Sequence, residues 1–199
     1  ITGEDAAKTA ASPQLEGYRA RDIEVLLLTD PVDSFWVRTA LGYDGKPFKS
    51  VTQGSADLDL IKPKDEAKAD EAAGGDTDLL IAAFKQALGE RVKDVRKSQR
   101  LTDSAVCLVA AEGMDRTLEK LLSRQKDTGI SVTAPVLEVN AGHPLIVSLA
   151  KSAKNKGAAS VEDAARLLLD QAFILEGEPV ADPAGFASRM AAVMTRVFT

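Results

Sequence analysis

A chain of 199 residues is long enough for a sizeable core and for two small domains, and its formal charge of −5 argues against a general nucleic-acid binder, which would be basic. A single cysteine, Cys107, excludes an intrachain disulfide and fits a reducing, cytoplasmic compartment. No apolar run approaches a membrane span. The opening ITGEDAAKTAASP lacks the basic and apolar regions of a signal peptide and does not begin with Met, so a piece of a longer protein is expected.

Ser12-Pro13 predicts a helix start, with Ser12 as N-cap, Pro13 in the first turn, and Leu15 and Tyr18 facing inward. Asp22 precedes Ile23–Leu28, which is apolar throughout except at Glu24. That pattern predicts a strand covered on both faces, as in a parallel or mixed sheet. Asp30-Pro31 breaks it, and Phe35, Trp36 and Leu41 then fall at helical spacing. Gly45-Lys46-Pro47 predicts a turn and Phe48–Thr52 a short strand.

Residues 62–76, KPKDEAKADEAAGGD, are charged and Ala-rich, which suits a solvated helix or linker at a domain boundary. Leu79, Leu80, Ala83, Phe84 and Leu88 predict an amphipathic helix closed by Gly89. Val92–Arg96, Ala105–Ala110 and Val136–Val139 read as strands, with a helix between Gly113 and Gln125 and a turn at Asn140-Ala-Gly-His-Pro. Helices are expected from about Leu145, from Ser160 and from Pro183. No internal repeat is visible.

Candidate chemistry is sparse. Asp30 and Asp33 stand at the carboxyl end of the predicted strand, where α/β enzymes place catalytic groups. A turn and a helix cap account for the same residues, and no partner histidine or metal cluster accompanies them. His143, the only histidine, precedes Pro144 and cannot make a His-rich metal site. Cys107 lies inside the apolar run AVCLVAA and reads as a small core residue. The glycines form neither GxGxxG after a strand nor GxxxxGK[ST]. No nucleotide site emerges.

Several longer stretches carry a family resemblance: SPQLEGYRARDIEVLLLTDPVDSF, DGKPFKSV, LGERVKDVRKSQRLTDSAVCLVA, LEVNAGHPLI and LLLDQAFILEGEPVADPAGFASRM. In this order they resemble the bacterial heat-shock protein 90 molecular chaperones over nearly the whole chain. Three departures stand out. Asp22 occupies a position where the family has Gly, and Asp tolerates the left-handed conformation such a turn needs. Ala141-Gly142 replaces a Pro-plus-polar pair before His143. Residues 62–76 match poorly. The ending RVFT lacks the acidic MEEVD motif of cytosolic eukaryotic members, as a bacterial member would.

The resemblance implies that residues 1–60 are the small α/β end of a middle domain. Residues 61–77 are then a charged linker or helix, and 78–199 a mixed α+β dimerisation domain ending in a helical pair. ATP and magnesium would belong to the complete chaperone, with no cofactor in this stretch and no enzyme activity of its own. The implied partners are a second copy and partly folded client proteins, with no nucleic acid and no membrane.

Two features of the sequence would carry that role. From Ser160, the residues Val161, Ala164/Ala165, Leu168, Ala172 and Leu175 make a stripe at helical spacing; Phe186, Met190, Val193 and Val197 make another. Two copies could bury both stripes in a two-fold four-helix bundle, with Leu168, Ala172, Leu175, Phe186, Met190, Val193, Met194 and Val197 at the seam. The plainer reading packs both stripes on the chain's own core.

The second feature is the helix Met114–Arg124. Met114, Leu118, Leu121 and Leu122 form its apolar edge, and Asp115, Arg116, Glu119 and Lys120 its charged face. Pattern alone makes it core-facing. The resemblance implies instead a solvent-exposed edge in the cleft between protomers, contacting clients, with Phe35 and Trp36 on a neighbouring wall. The competing reading is an α/β enzyme using Asp30 or Asp33, which predicts a pocket lined by both carboxylates.

Overall fold

The computed structural model describes residues 1–40, 42–52, 58, 61, 74–111, 116–123 and 132–198, with backbone alone at 74, 197 and 198. The described residues contain eight α-helices and a three-stranded mixed sheet. The short helices α1 (Ala6–Ala10), α2 (Glu16–Arg19) and α3 (Asp33–Thr39) come first. They are followed by α4 (Gly74–Leu88), β1 (Asp94–Lys97), β2 (Val106–Val109), α5 (Arg116–Ser123) and β3 (Val136–Val139). Three longer helices end the chain: α6 (Pro144–Lys156), α7 (Glu162–Leu175) and α8 (Pro183–Phe198).

Strand β3 is central, parallel to β1 (Asp94 opposite Val136) and antiparallel to β2 (Val106 opposite Val139). Every residue of β2 and β3 is buried, as the continuous apolar run of β2 requires; in β3 the exception to an apolar run is the buried Glu138. Alternation along β2 divides its side chains between two apolar clusters. Val106 and Leu108 join Leu80, Phe84, Leu137, Ile146, Ala165 and Leu169 beneath the helices. Cys107 and Val109 join Leu101 and Val136 on the other face.

Helix α4 turns Leu80, Ala83, Phe84 and Leu88 inward and packs against α6 and α7, whereas Leu79, expected on the same face, is 54% exposed. His143 is the N-cap of α6: its Nδ1 accepts the Leu145 N–H at 3.2 Å, ahead of Pro144 in the first turn. The histidine therefore has a local structural task.

The first 61 residues dock on this layer through polar contacts. Gln14 donates to the Leu108 carbonyl at 2.8 Å, while Arg21 ties the N-terminal part to itself by donating to the carbonyls of Leu58 and Ile61. Gly17 sits where a Cβ would lie 2.7 Å from Arg100 Cα, so no larger residue fits without a shift. Arg100 and Glu138 are fully buried and pair at 3.0 Å, while Arg100 Nη1 donates to the Val51 carbonyl at 2.5 Å. Arg96 and Ser98 complete the set of donors around Glu138.

Two predicted strands are not strands. Ile23–Leu28 is extended, but its pairing is a single parallel bridge from Leu28 to Thr2, with Leu26 61% and Leu27 39% exposed. An apolar run becomes a two-faced strand only where neighbours ladder with it, and here the hydrogen bonds go to Ile1–Gly3. Phe48–Thr52 also fails to join a sheet. The Val51 carbonyl serves Arg100, and the Thr52 carbonyl accepts the Ala110 N–H at 3.2 Å. Asp22 does adopt the left-handed conformation expected of its turn, with φ +53°.

Candidate interaction surfaces

Asp30 and Asp33 hold a turn. Asp33 Oδ2 accepts the Asp30 N–H at 3.0 Å, and Asp30 Oδ1 accepts the Val32 N–H at 3.0 Å. These bonds build the turn that leads into α3, as Asp does in turns; the helix cap expected here is not formed, because the N-cap position is Val32, which has no side-chain cap bond. An open cavity of about 530 Å³ lies nearby, walled by Tyr18, Ile23, Val37 and Phe48 among others, and neither aspartate lines it. The arrangement required by the enzyme reading is therefore not the one seen.

No glycine lines that cavity, and among the described residues no group of three or more His, Cys, Asp or Glu could hold a metal ion. Burial pushes the Cys107 thiol well above its usual range, so it is an unreactive core group.

Around α3 the structure exposes an apolar face. Phe35 and Trp36 are each 45% exposed, and Val32 at 60% is on the same side by its three- and four-residue spacing. The Trp36 ring leans on Phe48, with centroids 5.4 Å apart, which holds the indole at the surface. Helix α3 lies against α5.

The edge of α5 itself differs from expectation. Leu118 is 2% exposed and Leu121 and Leu122 are half-buried; Met114 lies outside the described residues. The charged face is buried too, with Arg116 and Glu119 shielded by partners. Arg116 Nε bonds Glu176 at 3.1 Å, and its Nη2 bonds Glu178 at 2.5 Å. Lys120 bridges the same two carboxylates, and Arg116 also stacks 5.9 Å above the Phe173 ring. Glu119 accepts from Thr133 N–H and Oγ. The helix is thus tied down on both sides and does not stand away from the fold. A sequence pattern cannot show this, because the partners of Arg116 and Lys120 lie about sixty positions downstream.

The terminal helices split. Leu168 and Ala172 are 4% and 2% exposed and belong to the chain's own core with Val161, Ala165 and Leu169. They are not at an exposed seam, because α4 and β2 already occupy that face of α7. Beyond the last core turn, Ile174 and Leu175 are 48% and 54% exposed. Ile174 was not singled out from sequence; its position one residue from the stripe is the signal that could have shown it. On α8, Met190 (39%), Val193 (39%) and Met194 (54%) are exposed, and Phe186 is half-buried. The Val197 side chain lies outside the described residues.

Comparison with known proteins agrees with the sequence. The family model described as "Hsp90 protein" matches residues 1–198. Proteins named "Chaperone protein HtpG" from Paramagnetospirillum magneticum, Azorhizobium caulinodans and Rhizobium meliloti are each 54% identical to the chain. Each alignment covers 98% of this chain. The chain spans about a third of the length of these relatives, 32% of the first and 31% of the other two. On a match across nearly its full length, the chain belongs to the Hsp90 family of chaperone proteins.

Proposed function

We propose that the chain is the dimerisation and client-contact portion of an ATP-dependent folding chaperone, with ATP bound and hydrolysed by residues outside it. The observation that carries the dimer is α8. This is a 16-residue helix that keeps Met190, Val193 and Met194 exposed beside the exposed end of α7, Ile174 and Leu175. Apolar groups repeated along one helix and left open to water need a cover.

The occupant we infer is a second copy. The same face on two protomers is self-complementary about a two-fold axis, and two α7–α8 pairs make a four-helix bundle. Light scattering of the purified chain tests this: the mass should be that of a dimer, and truncation after Gly177 should give a monomer. A tight dimer after truncation would place the interface elsewhere.

Client contact rests on Val32, Phe35 and Trp36, with Leu121 and Leu122 as a half-buried flank. Apolar side chains on a surface held by a rigid scaffold suit partners that expose apolar segments of varied sequence. Phe35→Ser with Trp36→Ser should weaken capture of a partly unfolded protein and leave folding nearly unchanged. A domain boundary between about 61 and 77 is supported by the apolar clusters, both of which are built from residue 80 onward. A cytoplasmic setting fits the buried, unpaired Cys107.

A further inference from the structure

Helix α8 has little hold on its own chain. Of residues 183–196, only Gly185, Phe186 and Arg189 are even partly shielded, and the packing of α8 is against α7. Among the described residues, a polar contact crosses that junction into the interior. Asp170, in the third turn of α7, is 1% exposed, and its two oxygens serve two different elements. Oδ1 takes Arg91 Nη2 at 2.5 Å, from the turn that follows α4; Oδ2 takes Arg189 Nη2 at 3.4 Å, from α8. The carboxylate therefore links the α4 end, the core helix α7 and the exposed helix α8.

The approach of Arg189 is prepared by Gly185. Side chains on a helix lean toward its N-terminus, so Arg189 runs back over the residue four positions earlier. A Cβ on Gly185 would lie 2.9 Å from Arg189 Nη1 and would collide with the Asp182 carboxylate, which caps α8 through the Gly185 N–H. Asp182 also stands 3.9 Å from Arg189 Nη2.

We propose that Asp170 is the positioning residue of the dimer surface: through Arg189, across the gap left by Gly185, it sets the angle at which α8 presents Met190, Val193 and Met194 to a second copy. This rests on the dimer reading above. A carboxylate buried in a helix of aliphatic neighbours is costly to desolvate and weak as a source of stability. A role in orienting an otherwise loosely held helix accounts for its place.

The test is a double-mutant cycle on the dimer dissociation constant, measured by sedimentation. Asp170→Asn and Arg189→Gln should each weaken the dimer roughly tenfold or more, and the double variant should be no weaker than either single one. Arg91→Gln, which removes the other ion pair, should leave the constant nearly unchanged. Gly185→Ala should weaken the dimer although alanine is the better helix former. In the background of Met190→Asp, amide hydrogen exchange in α8 should quicken with Asp170→Asn.

A wild-type dimer that keeps its affinity in Arg189→Gln and Gly185→Ala overturns the proposal, as do fully additive effects in the cycle. Arg189 and Gly185 lie on the exposed helix, so these two variants decide the matter even where Asp170→Asn fails to fold. A wild-type chain that is monomeric at all concentrations overturns the dimer reading instead. Unchanged exchange in α8 then overturns the positioning role separately.

Discussion

Glu16 shows how a single side chain joins distant parts of the chain. Its carboxylate accepts the N–H groups of Thr102, Asp103 and Ser104 at 2.7, 2.9 and 3.2 Å, and the Ser104 hydroxyl at 2.5 Å. Burial by itself would raise its pKa; the Ser104 hydroxyl and the three amides outweigh burial and hold it below the ordinary value. A carboxyl depressed in the folded state stabilises above its unfolded value, about 4.3, and that contribution is lost as pH falls through the folded value. The stability gap between wild type and Glu16→Gln, measured by urea unfolding, should therefore be full at neutral pH and close on acidification below about 4. A gap independent of pH would show that the charge contributes nothing. Next to it, Gly17→Ala should cost about 1–3 kcal/mol, because the added methyl meets the Arg100 backbone rather than a movable side chain. Neither role could be assigned from sequence: a Glu followed by Gly in a polar stretch carries no mark of a partner almost ninety residues away.

At the scale of elements, α5 is the instructive case. Its apolar and charged faces are plain in the sequence, and its extent within the described residues agrees with the predicted span. Which face is covered depended on Glu176 and Glu178, supplied by the turn that follows α7. With Leu118 buried, Leu118→Ala should cost about 2–5 kcal/mol of unfolding free energy. Val32→Ser on the exposed face of α3 should stay within about 0.5 kcal/mol. Equal, small effects at both positions would return Leu118 to the surface. Removing one carboxylate, as in Glu176→Gln, leaves Arg116 and Lys120 still paired to Glu178, so α5 should loosen without unfolding. Faster amide exchange confined to α5 is the expected signature.

For the molecule as a whole, the balance lies between a closed core and one open helix. The cluster running from Leu80 to Ala172 is built within a single chain, so the chain should fold as a monomer. Met190→Asp places a charge on the exposed face of α8 and should shift the equilibrium toward monomer, while the thermal unfolding of the core stays close to wild type. Burying a large apolar side chain is worth roughly 1.5–3 kcal/mol, so several per protomer are needed against an association cost of about 4–15 kcal/mol. Loss of the core transition together with the dimer would mean instead that folding and association are one event.

The local elements followed from the sequence because their causes are local. The run Val136–Val139, the turn after Asn140 and the inward face of α4 apart from Leu79 are set by period and breakers within a few residues. The turn role of Asp30 and Asp33 was equally readable, since both partners lie within three positions. Tertiary structure decided how each apolar surface was used. The stripe of α7 carries the same signal whether it meets α4 and β2 or a second copy, and only packing assigned Leu168 and Ala172 to the core and left Leu175 outside. The run Ile23–Leu28 has the composition of a strand, but a strand also needs neighbours to ladder with. Periodicity establishes that a face must be covered; the identity of the cover is a long-range contact, and its partner can stand anywhere in the chain.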